Sequence, residues 1–338
     1  MRAWLLALTG LVIVYGPHVW WAEWVYEDLA WIQAASTEVP DWWSTRRGLT
    51  RLAWWTQWHL SPTPVLFHAV SVGVHVVASM LVWQLARRVG VERGAASVAL
   101  VVMALHPMTR ETVAYAAQQG ELVAAIGVLG ACLLAAGRWW RPHVWMGIAG
   151  CIALGLAGKE TAIVALALVP LIIWVRQVEG RPLWAARWLP AVLAAEVLVG
   201  GIRLVGGWVT VVNAGEAGGV RVGALEWLLV QSAAVVRSLW LLVVPIGPFT
   251  VDYDYDAVGR AWQWASLATL IGLAGGAWAL RHRWPFEMAC LVAMLIVIVP
   301  RLIVQTPRSY FNDHQAYLLV PSVALIAAGV YDRWRRTS

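Results

Sequence analysis

The feature that most constrains this chain is a succession of apolar runs separated by short polar loops. A helix satisfies its backbone N–H and C=O groups within one segment, so in hydrocarbon such runs can be helices but not open sheets or loops. They fall near 3–21, 64–86, 94–107, 121–137, 143–158, 161–175, 187–204, 225–246, 261–280, 286–304 and 316–331. Several are shorter than the roughly 20 residues a perpendicular span needs. A mean hydropathy of +0.66 with 13% charged residues lies outside the range of soluble domains. The expectation is an all-α, polytopic integral membrane helix bundle of about 11 transmembrane helices with short outward-facing amphipathic segments, one domain over 1–338. The first run passes into Trp20 and Trp21 without a clear small-residue cleavage site, which predicts a retained helix.

Net charge is +6, and arginines gather in short loops at Arg87, Arg88 and Arg93, at Arg138 and Arg141, at Arg176 and Arg181, at Arg281 and Arg283, and at Arg333, Arg335 and Arg336. The positive-inside rule makes those loops and both termini cytoplasmic, with loops 22–62, 108–120, 205–224 and 305–315 outside. The positive balance thus reflects topology and gives no support for nucleic-acid binding. One conflict arises at 251–256: strict alternation puts it inside, whereas Arg281 and Arg283 put it outside, so either the 225–246 run is re-entrant or tilted, the favoured reading, or one of the short runs is not a span. The 25 tryptophans, many at run ends, form either an interfacial belt or, in loop 20–58, a stacking platform for sugar rings or pigments. Cys132, Cys151 and Cys290 lie inside apolar runs without metal-ligand spacing and are expected to be small core residues.

Ionisable groups at membrane depth are costly unless they line water or find partners, so they mark candidate sites. The stretch His106-Pro107 to Glu121 sets Glu111, Gln118, Gln119 and Glu121 between two apolar runs, as a cavity wall would. Glu27 and Asp28 follow the first run directly; adjacent acids repel, so one can hold its proton near neutrality and serve as general base, or both are simply solvated. His68, Ser71 and His75 share one helix face, either as a metal site or as hydrogen-bonded structural histidines. Lys159, the only lysine, precedes Glu160, giving either a local ion pair or a phosphate anchor tuned by a neighbouring acid. Residues 46–60, rich in Trp and Arg, suit an amphipathic helix at the membrane surface.

Arg47-Gly-Leu-Thr50, Phe67-His68 with His75, His106-Pro107 with Glu111, Gly158-Lys-Glu, Pro245-Ile-Gly-Pro-Phe-Thr-Val-Asp252-Tyr-Asp254 and Tyr317-Leu-Leu-Val-Pro321-Ser322 occur in one order along nearly the whole chain. In that order they resemble the membrane part of the tetratricopeptide-associated, O-mannosyltransferase-like proteins, a GT-C glycosyltransferase family. The resemblance implies a helical bundle whose outward cavity takes a polyprenyl-phosphate sugar donor from the membrane lipid and transfers the sugar to an acceptor. It makes Asp28 and Glu27 the catalytic pair. Arg47, His106, Glu111, Glu121, Lys159 and Arg308 are the expected substrate-binding set, with a divalent metal as an open question.

Three departures accompany the resemblance. Gln119 stands where the family often has arginine, and Asp313-His314-Gln315 stands where an acid is followed by arginine near the last helix. The sequence also lacks the repeats. Arg308, Arg301 and Lys159 are the remaining candidates for the phosphate. The alternative expectation is a non-catalytic scaffold subunit of that fold, bound to other membrane subunits in a larger complex, a pigment-bearing one if the tryptophans stack pigments. A transporter would show inverted repeats, and none is apparent.

Overall fold

A computed structural model describes residues 2–21, 23–24, 28–40, 47–137, 142–178, 223–246, 259–303 and 313–338. Glu27, Arg308, the 187–204 run and the Gly-rich 206–222 and acidic 251–256 segments lie outside them. Among the described residues the secondary structure is entirely helical. The α-helices are α1 (Arg2–Trp21), α2 (Asp28–Ser36), α3 (Gly48–Leu60), α4 (Pro64–Arg88), α5 (Arg93–Leu105), α6 (Arg110–Ala114), α7 (Gln119–Ala135), α8 (Pro142–Gly158), α9 (Ala165–Val178), α10 (Ala224–Val243), α11 (Arg260–Leu280), α12 (Pro285–Ile303) and α13 (Val320–Thr337). Short 3-10 turns occupy Pro107–Thr109, Ala116–Gln118, Glu160–Val164 and Asp313–Leu319.

Among the described residues, four segments are long and apolar enough to cross a membrane: Pro64–Arg88, Ala116–Ala135, Ala224–Val243 and Gln315–Thr337. Chemistry at their ends sets the boundaries. Pro64 opens α4 at a position where its missing N–H costs nothing, and Arg87 and Arg88 close it. Glu92 caps α5 by accepting the Gly94 N–H. With 13 residues α5 covers about 20 Å, short of a bilayer, and the chain then breaks at His106-Pro107 into turns.

The core is built from α4, α5, α7, α8 and α13, with α1 laid against α4 and α5. Its tightest seam joins α7 to α8. A Cβ on Gly127 would meet Cys151 O at 2.5 Å and Gly155 Cα at 2.6 Å, so glycine alone allows this approach. α11 is peripheral and buries only Gln263, Ser266, Leu270 and Ala277. Exposed tryptophans sit at helix ends, as at Trp20 and Trp21 of α1, Trp262, Trp264 and Trp278 of α11, and Trp334 of α13, in keeping with an interfacial belt.

Three ion pairs fix the ends of the bundle. Arg335 meets Glu92 at 3.1 Å and Arg333 meets Glu287 at 2.6 Å, so the end of α13 lies with the starts of α5 and α12. Glu226 pairs with Arg260 at 2.8 Å, bringing the first turns of α10 and α11 together. The last turn of α10 reaches His106, where α5 stops short. A tilted or re-entrant α10 accommodates both contacts, which bears on the conflict at 251–256.

Candidate functional site

The polar cluster gathers where the first turns of α4 and α7 meet the end of α8. Asp28 opens α2 and is fully buried. Its Oδ1 accepts the Ala117 N–H at 2.6 Å and its Oδ2 the Ala116 N–H at 3.3 Å, capping the turn Ala116–Gln118. A carboxylate at the start of a helical turn satisfies donors that the turn itself leaves unpaired. The next residue, Gln118, accepts from Lys159 Nζ through its Oε1 at 3.0 Å.

Lys159 forms a buried ion pair with Glu121 at 2.7 Å, and Glu121 Oε2 also accepts the Thr161 hydroxyl at 2.7 Å. Burial pushes the Lys159 ammonium down to about 8 while Glu121 pulls it upward. Glu160 turns away and takes a two-point bond from Arg47, Nε to Oε2 at 3.1 Å and NH2 to Oε1 at 2.7 Å. The local Lys159–Glu160 pair expected from adjacency is therefore replaced by two long-range pairs. The reason is backbone: Lys159 is extended (φ −157°, ψ 147°), and successive side chains of an extended strand point apart. Arg47 sits in the left-handed region (φ 58°, ψ 36°) just before α3, and Thr50, one turn on, donates to the Gly158 carbonyl at 2.8 Å. Both contacts tie α3 to the end of α8.

Gln119 is held by a reciprocal amide pair. Gln57 Nε2 donates to Gln119 Oε1 at 2.9 Å and Gln119 Nε2 donates to Gln57 Oε1 at 3.0 Å, with a further bond to the Phe67 carbonyl at 3.0 Å. Where the resembled family often carries a cation, this chain has a neutral, saturated pair.

The other expected residues fall elsewhere. His106 donates from Nε2 to the Leu242 carbonyl at 3.0 Å and accepts the Met108 N–H at Nδ1, 3.2 Å away, a pattern that fits only a neutral ring. No contact among the described residues joins it to Asp28 or Lys159. Glu111 is half-buried on α6. Within the 106–121 stretch Met108, Thr109, Thr112, Val113 and Ala116 are buried, while Pro107 and Arg110 are exposed and Glu111 and Gln118 half-buried. His75 is structural, hydrogen-bonded to Tyr317 at 2.7 Å and to the Ala104 carbonyl at 3.2 Å. Among the described residues no group of three His, Cys, Asp or Glu side chains is placed to hold a metal.

Compared with protein-family models, curated proteins and solved structures, the chain matches none. What the cluster can do chemically follows from its own geometry. It offers a buried carboxylate held on the backbone amides of a turn to which one cation, Lys159, is also anchored, with Arg47 held on the neighbouring Glu160. Gln57 and Thr161 have no sequence signal, since lone polar residues on amphipathic or junction segments look merely solvated.

Proposed function

We propose that the chain is a GT-C-like membrane glycosyltransferase of about eleven spans that moves a sugar from a polyprenyl-phosphate donor to an acceptor hydroxyl at the outer face of a prokaryotic plasma membrane. The observation that carries the reading is that a buried acid, Asp28, and a buried cation, Lys159, are fastened to the same three-residue turn. That juxtaposition suits an inverting displacement. The Asp28 carboxylate takes the proton of the acceptor hydroxyl, whose oxygen bonds to the anomeric carbon. The bond from that carbon to the phosphate oxygen breaks, and its electron pair stays on the lipid phosphate, near Lys159 and Arg47.

Asp28→Asn removes the proton acceptor with almost no change in volume and should lower transfer by about 10² to 10⁴. Cell-surface glycan profiles of a strain carrying it should match those of a deletion strain while the protein stays at normal level. Glu27→Gln should do less, since its neighbour carries the proton.

A specific observation favours a second reading, the non-catalytic scaffold subunit. The cations of the cluster already have acidic partners, Lys159 with Glu121 and Arg47 with Glu160, and Gln119 is saturated by Gln57. Under that reading Asp28→Asn leaves glycans unchanged, and the protein leaves mild detergent inside a stoichiometric complex.

A further inference from the structure

We infer that an apolar cleft running from the end of the bundle opposite the polar cluster toward its middle binds one acyl chain of an anionic phospholipid. Its lining runs from Phe286 to Val297 on α12, with Leu85 from α4, Val128 and Cys132 from α7, and Leu168 from α9. Two helices measure its separation from the cluster. Phe67, which meets Gln119, lies in the first turn of α4 and Leu85 in its last, while Gln119 opens α7 and Cys132 lies near its end. The cleft is thus a different place from the proposed transfer site and does not depend on that reading.

Three observations select the occupant. The first is the lining, in which Ser322 supplies the only hydroxyl, so a water inside would lack the two to four polar partners it needs. The cleft, of about 80 Å³ and open on one side, takes a short run of methylenes, and the rest of a chain can lie along the open side. The second is depth. From Phe286 to Val297 the helix rises about 16 Å, close to half of the roughly 30 Å hydrocarbon core, which is the reach of one leaflet.

The third is charge at the cleft's outer end. Phe286 follows directly on the turn that carries Arg281 and Arg283, and Val89 follows Arg87 and Arg88. The acids at this end are engaged: Glu287 by Arg333, Glu92 by Arg335 and Asp332 by Arg336. Arg281 and Arg283 lie instead over the rings of Trp278 and Trp284, at 3.9 and 5.8 Å, without an acidic partner among the described residues. A guanidinium over an indole, in the turn that leads to the lining residue Phe286, suits a phosphate headgroup whose tail enters the slot. By the positive-inside rule this is the cytoplasmic leaflet.

The test is native mass spectrometry of full-length protein from mild detergent, with thermal unfolding of the delipidated protein after adding phosphatidylglycerol or phosphatidylcholine of identical chains. The expected result is one retained anionic phospholipid, and an unfolding midpoint raised more by phosphatidylglycerol. Ala293→Phe, which fills the slot, should abolish retention, and the exposed Arg283→Gln should erase the headgroup preference while leaving a bound phospholipid. If Ala293→Phe fails to fold, the wild-type shift and Arg283→Gln still decide. Retention of no lipid, retention of polyprenyl phosphate, or equal shifts with both phospholipids would overturn the inference.

Discussion

Charge inside this bundle is handled pair by pair, and the Glu121–Lys159 pair shows what that demands. Both side chains are almost wholly buried, so removing one partner strands the other in low dielectric. Lys159→Ala or Glu121→Ala should each destabilise the protein by about 3–5 kcal/mol, whereas the double exchange Glu121→Leu with Lys159→Met should recover most of it. Thermal unfolding in detergent reads this directly; additive losses in the double variant would mean the pair is not coupled. Asp28 and Lys159 already stood out in the sequence, as an acid and the lone lysine beside apolar runs. Their partners were not. Glu121 lies 38 residues before Lys159 and Gln57 lies 62 before Gln119, so only the packed fold brings them together. Glu160 was the obvious partner for Lys159 by adjacency, and an extended backbone at one residue overruled it.

The helices themselves were easier to place, because each apolar run ends in residues that stop helices or prefer the interface. The 64–86 run became Pro64–Arg88, the 143–158 run Pro142–Gly158 and the amphipathic 46–60 segment Gly48–Leu60. What hydropathy could not supply is how closely two helices approach. Gly127 and Gly155 permit the α7–α8 seam by having no Cβ. Gly127→Ala must push α8 away and should cost roughly 1–3 kcal/mol, as overpacking does. Gly150, on α8 with open space around its Cβ position, is the control: Gly150→Ala should stabilise by about 0.5–1 kcal/mol through helix propensity. Unfolding midpoints that move the same way in both variants would contradict the seam.

For the molecule as a whole, the distribution of arginine predicts orientation. Reporter fusions after Arg88 and after Ser338 should be cytoplasmic and one at Ser61, between α3 and α4, should be outside; a periplasmic C-terminus would invert the assignment of the last helices. On that orientation the polar cluster faces outward and the arginine-bearing cleft inward, so the proposed transfer chemistry and the proposed lipid anchoring would fall in opposite leaflets. Whether the cluster is a working site depends on Asp28 acting as a base and not only as the cap of the Ala116–Gln118 turn. The most direct measurement is release of polyprenyl phosphate when purified wild-type protein and Asp28→Asn are incubated with labelled polyprenyl-phosphate sugars and a membrane extract as acceptor. A catalytic Asp28 gives time-dependent release by the wild type and a loss of about 10² or more in the folded variant. No release by the wild type with any donor, or equal release by both proteins, would contradict the transferase account and leave the scaffold.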